Sequence, residues 1–217
     1  LQVTGNATIH PGMPLDIHKI QPQKGEFSCN LWENAHIGLP LTLFYSIEIP
    51  ILPFDTGQNY VDQPASTSIM MEWLKFANPI TESNEKNWKN LTGKEFEITY
   101  EDGTGEGSIY LGNEHCQFNS RIKFLDLQDT TFDILLTLHV AFNIDTINLP
   151  ENGEFIIATQ VEFKGLLLYD NQSLPTVALT QNEIELISGF IDNTTYQSQL
   201  TNYNNPHVHW RQLKPRP

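Results

Sequence analysis

The residues able to do chemistry in this chain are sparse, and their densest group is Thr99–Cys116, TYEDGTGEGSIYLGNEHC. It holds the carboxylates Glu101, Asp102, Glu106 and Glu114, four glycines and the pair His115-Cys116. A dinucleotide loop needs a strand, then glycines, then a helix whose N-terminus holds the pyrophosphate. Here Gly103, Gly105 and Gly107 run into SIYLG, which is strand-like, and no Lys-Ser/Thr follows for a phosphate loop. Glu101, Asp102 and Glu106 would repel a phosphate. The glycines therefore read as the turn of a hairpin, Asp102-Gly103 supplying the positive-φ residues, with the acids at an exposed tip. Calcium is the remaining ligand for such acids, but the D-x-[DN]-x-[DN]-G spacing is missing.

The other candidates are thinner. His115 and Cys116 are adjacent, so on a strand they face opposite ways and make a poor metal pair. His207 and His209 would share a strand face, with no third ligand nearby in sequence. There is no G-x-S-x-G elbow, and neither Cys29 nor Cys116 has a local catalytic context. Carboxylates are plentiful but scattered. A dispersed active site would have to gather Asp133, His139 and Glu162, or the N-terminal His10, His18 and His36. No catalytic residue, metal or cofactor is assigned.

The 217 residues carry 26 Asp and Glu against 12 Lys and Arg, a formal charge of −14. Nothing on that scale neutralises phosphates, so nucleic acid is excluded as the expected partner. A basic protein or a cation suits such a surface, and so does plain solubility. The longest apolar stretch, Gly38–Phe54, is broken by Pro40, Glu48, Pro50 and Pro53 and is no membrane span. Only the last eleven residues, HVHWRQLKPRP, reverse the sign, and they read as a loosely ordered tail. Two cysteines are too few for a disulfide framework; reduced buried thiols in a cytoplasmic chain are expected, one bridge being the alternative. Four Asn-x-Ser/Thr sequons begin at Asn6, Asn90, Asn171 and Asn193, and the chain opens at Leu1, which leaves a removed leader open.

The elements that must position these groups are mostly strands. Leu39, Leu41, Leu43, Tyr45, Ile47 and Ile49 alternate with period two. So do Phe132, Ile134, Leu136, Leu138, Val140 and Phe142, and Phe155, Ile157, Thr159, Val161 and Phe163. Each set reads as a half-buried strand. Shorter strands are expected at Ala7–His10, Glu26–Leu31, Glu95–Tyr100, Gly107–Leu111 and Ile122–Asp126. NLPENGEF (148–155) reads as a hairpin connection.

DQPASTSIMMEWLKFANP (62–79) reads as a helix. Asp62 caps it, Pro64 sits in the first turn, and Ile69, Met70, Trp73, Leu74 and Ala77 form the stripe, which makes Trp73 a core residue. A second short helix is expected in ESNEKNWKNL (82–91). TQNEIELI (180–187) carries a capping-box pattern, Thr180 and Glu183, but also strand-like alternation. GNATIH (5–10) echoes GEGSIY (105–110). The expected fold is thus α+β: a mainly antiparallel sheet, sandwich-like or curved, with one or two packed helices. It spans one domain over 1–217, with two β sub-units, 1–60 and 88–170, joined by a helical segment 62–91 as the subdivision to test.

Residues Asn87–Asp145 resemble a type of bacterial immunity protein from polymorphic-toxin and contact-dependent-inhibition systems. The matching pattern is Trp88-Lys89-Asn90-Leu91-Thr92-Gly93-Lys94, the aromatic strand at Phe96, the acidic glycine turn Asp102–Gly107, Gly107-Ser108-Ile109-Tyr110, His115, Ile122–Phe124 and the long strand Phe132–Phe142. The usual acidic strand ending, Asp-Phe-Glu, is Ala141-Phe142-Asn143 here. The resemblance implies an intracellular, non-enzymatic antitoxin that binds and neutralises a cognate protein toxin, and it transfers no active-site residues. A nuclease toxin with a cationic cleft fits the charge, and Glu101, Asp102, Glu106 and Glu114 are the expected contact residues. Two rivals stand beside it. One is a secreted or surface β-sandwich binding carbohydrate or another ligand, for which a Cys29–Cys116 disulfide would speak. The other is a hydrolase with a dispersed carboxylate and His site. Trp32, Trp88 and Trp210 could be core or contact residues.

Overall fold

The computed structural model describes residues 20–53, 68–74, 88–99, 105–111, 114–139, 154–169, 180–201 and 210–216. Ten strands form one continuous sheet: β1 (Gly25–Asn34), β2 (Leu39–Pro50), β3 (Ser68–Leu74), β4 (Glu95–Ile98), β5 (Glu106–Leu111), β6 (Glu114–Gln128), β7 (Thr131–His139), β8 (Glu154–Tyr169), β9 (Tyr196–Thr201) and β10 (Trp210–Pro215). The α-helix among the described residues is α1 (Gln181–Ser188), and 3₁₀ turns span Ala35–Ile37, Trp88–Leu91 and Asn193–Thr195.

Seven of the strands close on themselves in the order β1-β2-β3-β5-β6-β7-β8, with β8 returning to β1. A ring with an odd number of strands cannot alternate direction throughout. One parallel pair is required, and here it is β1 with β8. The architecture is therefore a mixed barrel, a β-rich curved sheet closed on itself, and not the sandwich that was the other expected form. Its strands follow sequence order, β1 and β2 side by side and β5 to β8 in succession, with β3 between the two groups and the β1/β8 pair closing the ring. Strands from 1–60 and from 88–170 are hydrogen-bonded into the same sheet, through β3 on one side and the β1/β8 pair on the other.

The long alternating segments do what period two requires. Leu43, Tyr45, Ile47 and Ile49 point inward from β2, Phe132, Ile134, Leu136 and Leu138 from β7, and Ile157, Val161 and Phe163 from β8. Register aligns these faces, Phe132 opposite Val161 and Leu136 opposite Ile157. The side chains of Leu39, Leu41 and Phe155, and residues Val140 and Phe142, lie outside the described set, as do the strand expected at 7–10 and the connection before β8.

One end of the interior is aromatic. The Phe27 ring lies 5.3 Å from Tyr45, 5.4 Å from Phe124, 6.2 Å from Phe132 and 5.0 Å from Phe163. Trp88, carried in by the 3₁₀ turn, packs 4.7 Å from Phe163 and 5.7 Å from Phe132. Burying each such ring contributes about 1.5–3 kcal/mol.

Three expectations change. Residues 68–74 of the expected helix are strand β3, hydrogen-bonded to β2 on one edge and β5 on the other; Asp62, Pro64, Ala77 and Asn78-Pro79 lie outside the described residues. Within the basic tail, Trp210–Pro215 form strand β10, held between β8 and β9, with the Gln212 side-chain amide donating to the Lys164 carbonyl at 2.6 Å. The ambiguous 180–187 segment is helix α1. Its capping box is complete, with Glu183 N–H donating to Thr180 Oγ1 and Thr180 N–H to Glu183 Oε2.

At the parallel seam, Lys24 and Lys164 hold Glu162 at 3.2 and 3.1 Å, and Lys164 also reaches Glu26 at 3.4 Å. Partial burial raises the pKa of Glu162, but hydrogen bonds from Lys164 and Lys24 outweigh it and leave the pKa below the ordinary carboxylate value. A lowered folded-state pKa gives stability that is present above the unfolded value and lost as pH falls through the folded one. Acid should therefore weaken the seam, by less than about 1 kcal/mol because solvent screens the pair. Urea midpoints measured from pH 7 down to pH 2 should fall more steeply for the wild type than for Glu162→Gln. Parallel curves would show that the seam charges add nothing.

Candidate partner-binding site

β4 and β5 do not pair with each other as the two arms of a hairpin. Both β4 and β5 run antiparallel to β6 and lie in tandem along the same edge of it. Ile98 pairs with Ser120 and Gly107 with Phe118, so the chain advances nine residues while β6 advances two. Glu101 and Asp102 fall in the sequence between these two strand pieces and lie outside the described set. Glu114 starts β6 opposite Leu111, at the far end of β5 from Glu106. Five strand steps separate Glu106 from Leu111, about 17 Å. Glu106 and Glu114 therefore do not form one patch. The side chains of Glu114, His115 and Cys116 are outside the described residues, as are His10, His18, His207 and His209.

Tertiary pairing brings a different neighbour to Glu106. Glu72 of β3 is its register partner, and both are exposed. Directly opposed residues on antiparallel strands have Cβ atoms about 5 Å apart, and like charges there destabilise by roughly 0.2–1 kcal/mol. Neither carboxylate has a cationic partner among the described residues. The ion pairs among the described residues lie on two other walls: the β1/β8 seam, and the β4/β6 wall where Arg121 meets Glu95 and Glu97 at 3.3 and 3.1 Å and Lys123 meets Glu95 at 3.9 Å.

Next to Glu72 the strand bulges. Tyr45 pairs with Leu74 and Ile47 with Met71, so β3 carries one residue more than β2 over that interval. Trp73 adopts φ +56°, in the left-handed region. That conformation is an outlier for a bulky side chain and costs about 1–3 kcal/mol. The bulge lets Leu74 return to the interior, fully buried, while Trp73 is 39% exposed. Its ring stands edge-on to Phe44, centroids 5.4 Å apart at 85°. Trp73 is thus a surface residue, contrary to its assignment to the core.

Gly105 packs against this bulge. A Cβ there would stand 2.6 Å from Leu74 Cδ2, 3.1 Å from Ile98 Cγ2 and 3.2 Å from the Glu72 carbonyl oxygen. The local arrangement is an exposed indole and two in-register carboxylates, mounted on a packed barrel. It can attract and contact a cationic surface. It contains no acid–base pair poised for proton transfer.

Among the described residues the other candidate groups stand apart. Asp133, Glu162 and His139 lie on the outer wall; Asp133 accepts from Gln160 Nε2 at 2.8 Å, Glu162 is held by lysines, and His139 is six strand steps from Asp133. Cys29 is a free, buried thiol opposite Tyr45, its Sγ 3.6 Å from the Gly165 carbonyl oxygen. Burial pushes its pKa far above the ordinary thiol value, which removes the thiolate a nucleophile needs. It does not bridge to Cys116. Among the described residues no three His, Cys, Asp or Glu side chains gather to hold a metal ion, and no helix is long and apolar enough to cross a membrane.

Glu106 was legible in the sequence. Glu72 and Trp73 were not, although a strand reading of SIMMEWL would have put Met70 and Glu72 on the outer face together. The chain matches no protein-family model, no curated protein and no solved structure.

Proposed function

We propose that this protein is an immunity-type inhibitor, one that binds a cognate bacterial protein toxin through an acidic surface and blocks it by occlusion. The observation that supports it most is the Glu72–Glu106 pair. Two carboxylates placed side by side, with no compensating cation among the described residues, lower the stability of the free protein and are relieved by a cationic partner. A nuclease whose substrate cleft is positive is the partner class that such a surface would both steer in and screen from phosphate. The packed aromatic interior and the inert Cys29 suit a scaffold that acts by contact alone.

The test is co-purification with the product of the adjacent gene, followed by stopped-flow association. Glu72→Lys with Glu106→Lys should slow association by about ten- to a hundredfold at low salt and flatten its salt dependence. Glu95→Lys with Glu97→Lys, on the neutralised β4/β6 wall, should change it little. If the neighbouring protein does not bind, the immunity reading falls. If it binds and the first pair of changes leaves the rate unaltered, this face is not the contact.

A further inference from the structure

We infer that β9 is the edge through which two copies of this chain pair, β9 of one lying antiparallel to β9 of the other about a twofold axis at Ser198. The inference goes beyond the docking of a toxin. Glu72 and Glu106, on β3 and β5, take no part in it.

Barrel closure removes the edges of seven strands, and β10 is paired on both sides. Among the described residues β9 is paired on one side only, by β10, and β4 by β6. An open edge carries a row of outward N–H and C=O groups that another strand can take up. Proteins guard such edges with charges, proline, bulges or short length. β4 is guarded, being four residues long and carrying Glu95 and Glu97. β9 is not. Its sequence, YQSQLT, has no charge and no proline, and its register with β10 runs without a shift from Thr201 opposite Trp210 to Tyr196 opposite Pro215.

The ladder fixes which groups face outward. Arg216 N–H donates to the Thr195 carbonyl at 2.7 Å, so Thr195, Gln197 and Gln199 bond to the β10 side. The N–H and C=O groups of Tyr196, Ser198 and Leu200 then point away from β10. Pro215, which has no N–H to give, lies opposite Tyr196, as that pattern requires.

Three observations select a second copy as the added strand. The chain carries 26 acidic against 12 basic residues, so its copies repel, and β9 is an edge that brings no carboxylate to the contact. The outward groups are also self-complementary. With the axis at Ser198, this residue exchanges both bonds with the partner's Ser198, Tyr196 does so with the partner's Leu200, and Gln197 stands opposite the partner's Gln199. Lastly, the Ser198 hydroxyl is buried in the chain without a hydrogen-bond partner. Rotation about one bond aims it at the partner's Ser198, and a reciprocal hydroxyl pair across the strands satisfies both.

The test is sedimentation velocity on the full chain over a concentration series at low and high salt. The expected result is a monomer–dimer equilibrium that strengthens with salt, because screening relieves the repulsion between copies. Ser198→Pro removes an outward N–H and leaves the β10 ladder whole, so it should weaken the dimer at least about tenfold. In a pair of this kind the Cα atoms lie about 5.5 Å apart, so Ser198→Cys should cross-link two copies on mild oxidation, position 198 joined to itself in non-reduced peptides. Gln197→Cys should not. A chain that is monomeric at every concentration and salt overturns the proposal. So does a dimer that Ser198→Pro leaves unchanged, or one in which Ser198→Cys does not cross-link. If Ser198→Pro does not fold, the cross-link alone decides. A monomer whose Ser198 amide gains protection from hydrogen exchange only when the neighbouring gene's product is added gives the edge to that protein, and that too overturns the pairing of copies.

Discussion

Gly165→Ala should cost at least about 4 kcal/mol, enough to take a marginally stable domain close to unfolding. The residue lies where β8 passes from β7 to β10 on one edge while pairing with β1 on the other. Its φ is +93°, and a Cβ would stand 1.8 Å from the carbonyl oxygen of Leu213 and 2.9 Å from its carbonyl carbon. Those atoms are backbone and cannot rotate aside. A side chain here therefore forces β10 off β8 or straightens the bulge at which Lys164 is the extra residue. Either change damages the parallel seam that closes the barrel. Gly38 and Gly93 provide the control. Their φ values are +70° and +79°, but nothing lies within 4 Å of a Cβ at either. Alanine at those positions should cost only the backbone strain, about 1–2 kcal/mol. Urea unfolding of the three variants would compare them directly. Equal losses would mean that the contact with Leu213 does not limit the seam.

The second large effect is expected at Trp88. Trp88→Ala should lose about 3–5 kcal/mol by leaving a hole against Phe163 and Phe132. Trp88→Phe should behave quite differently. The indole Nε1 is buried without a hydrogen-bond acceptor, and such an orphan donor costs about 1–3 kcal/mol. Phenylalanine loses part of the ring but removes that donor. The variant should then unfold within about 1 kcal/mol of the wild type. Lys89 Nζ, 5.5 Å from the Trp88 ring, retains an aromatic neighbour. Thermal unfolding of both variants decides the matter. If Trp88→Phe is as damaging as Trp88→Ala, the indole N–H has a partner that stabilises the core.

The parts of the fold legible in the sequence were those whose signal is local. β2, β7 and β8 each keep one face dry over many residues, and period two records that directly. Thr180 and Glu183 carried the local signal for α1, a capping box complete within four residues, but the alternation of Ile184 and Leu186 left that segment ambiguous until the structure resolved it as a helix. β3 was misread for a physical reason. Ile69 and Met71 alternate as a strand should, but the bulge moves the next inward residue to Leu74. That leaves Ile69, Met70, Trp73 and Leu74 at spacings a helix would also give. Length could not arbitrate, because the flanking Asp62-Pro64 and Asn78-Pro79 satisfied helix rules on their own. The glycine-rich stretch failed differently. Asp102-Gly103 suits a tight turn, yet whether β4 pairs with β5 or continues beyond it depends on the length of β6, a strand further along the chain.

The sequence by itself determined a β-rich chain with a strongly negative surface and no catalytic constellation in local spacing. Those properties follow from composition and from the alternation of side chains along a strand, which need no partner to be read. Closure into a barrel, the parallel seam, the strand formed by the basic tail and the meeting of Glu72, Trp73 and Glu106 were decided by tertiary structure alone. Each depends on which strand edges meet and in what register. A single extra residue in one strand changes which side chains face outward, and only the neighbouring strands reveal that it is there.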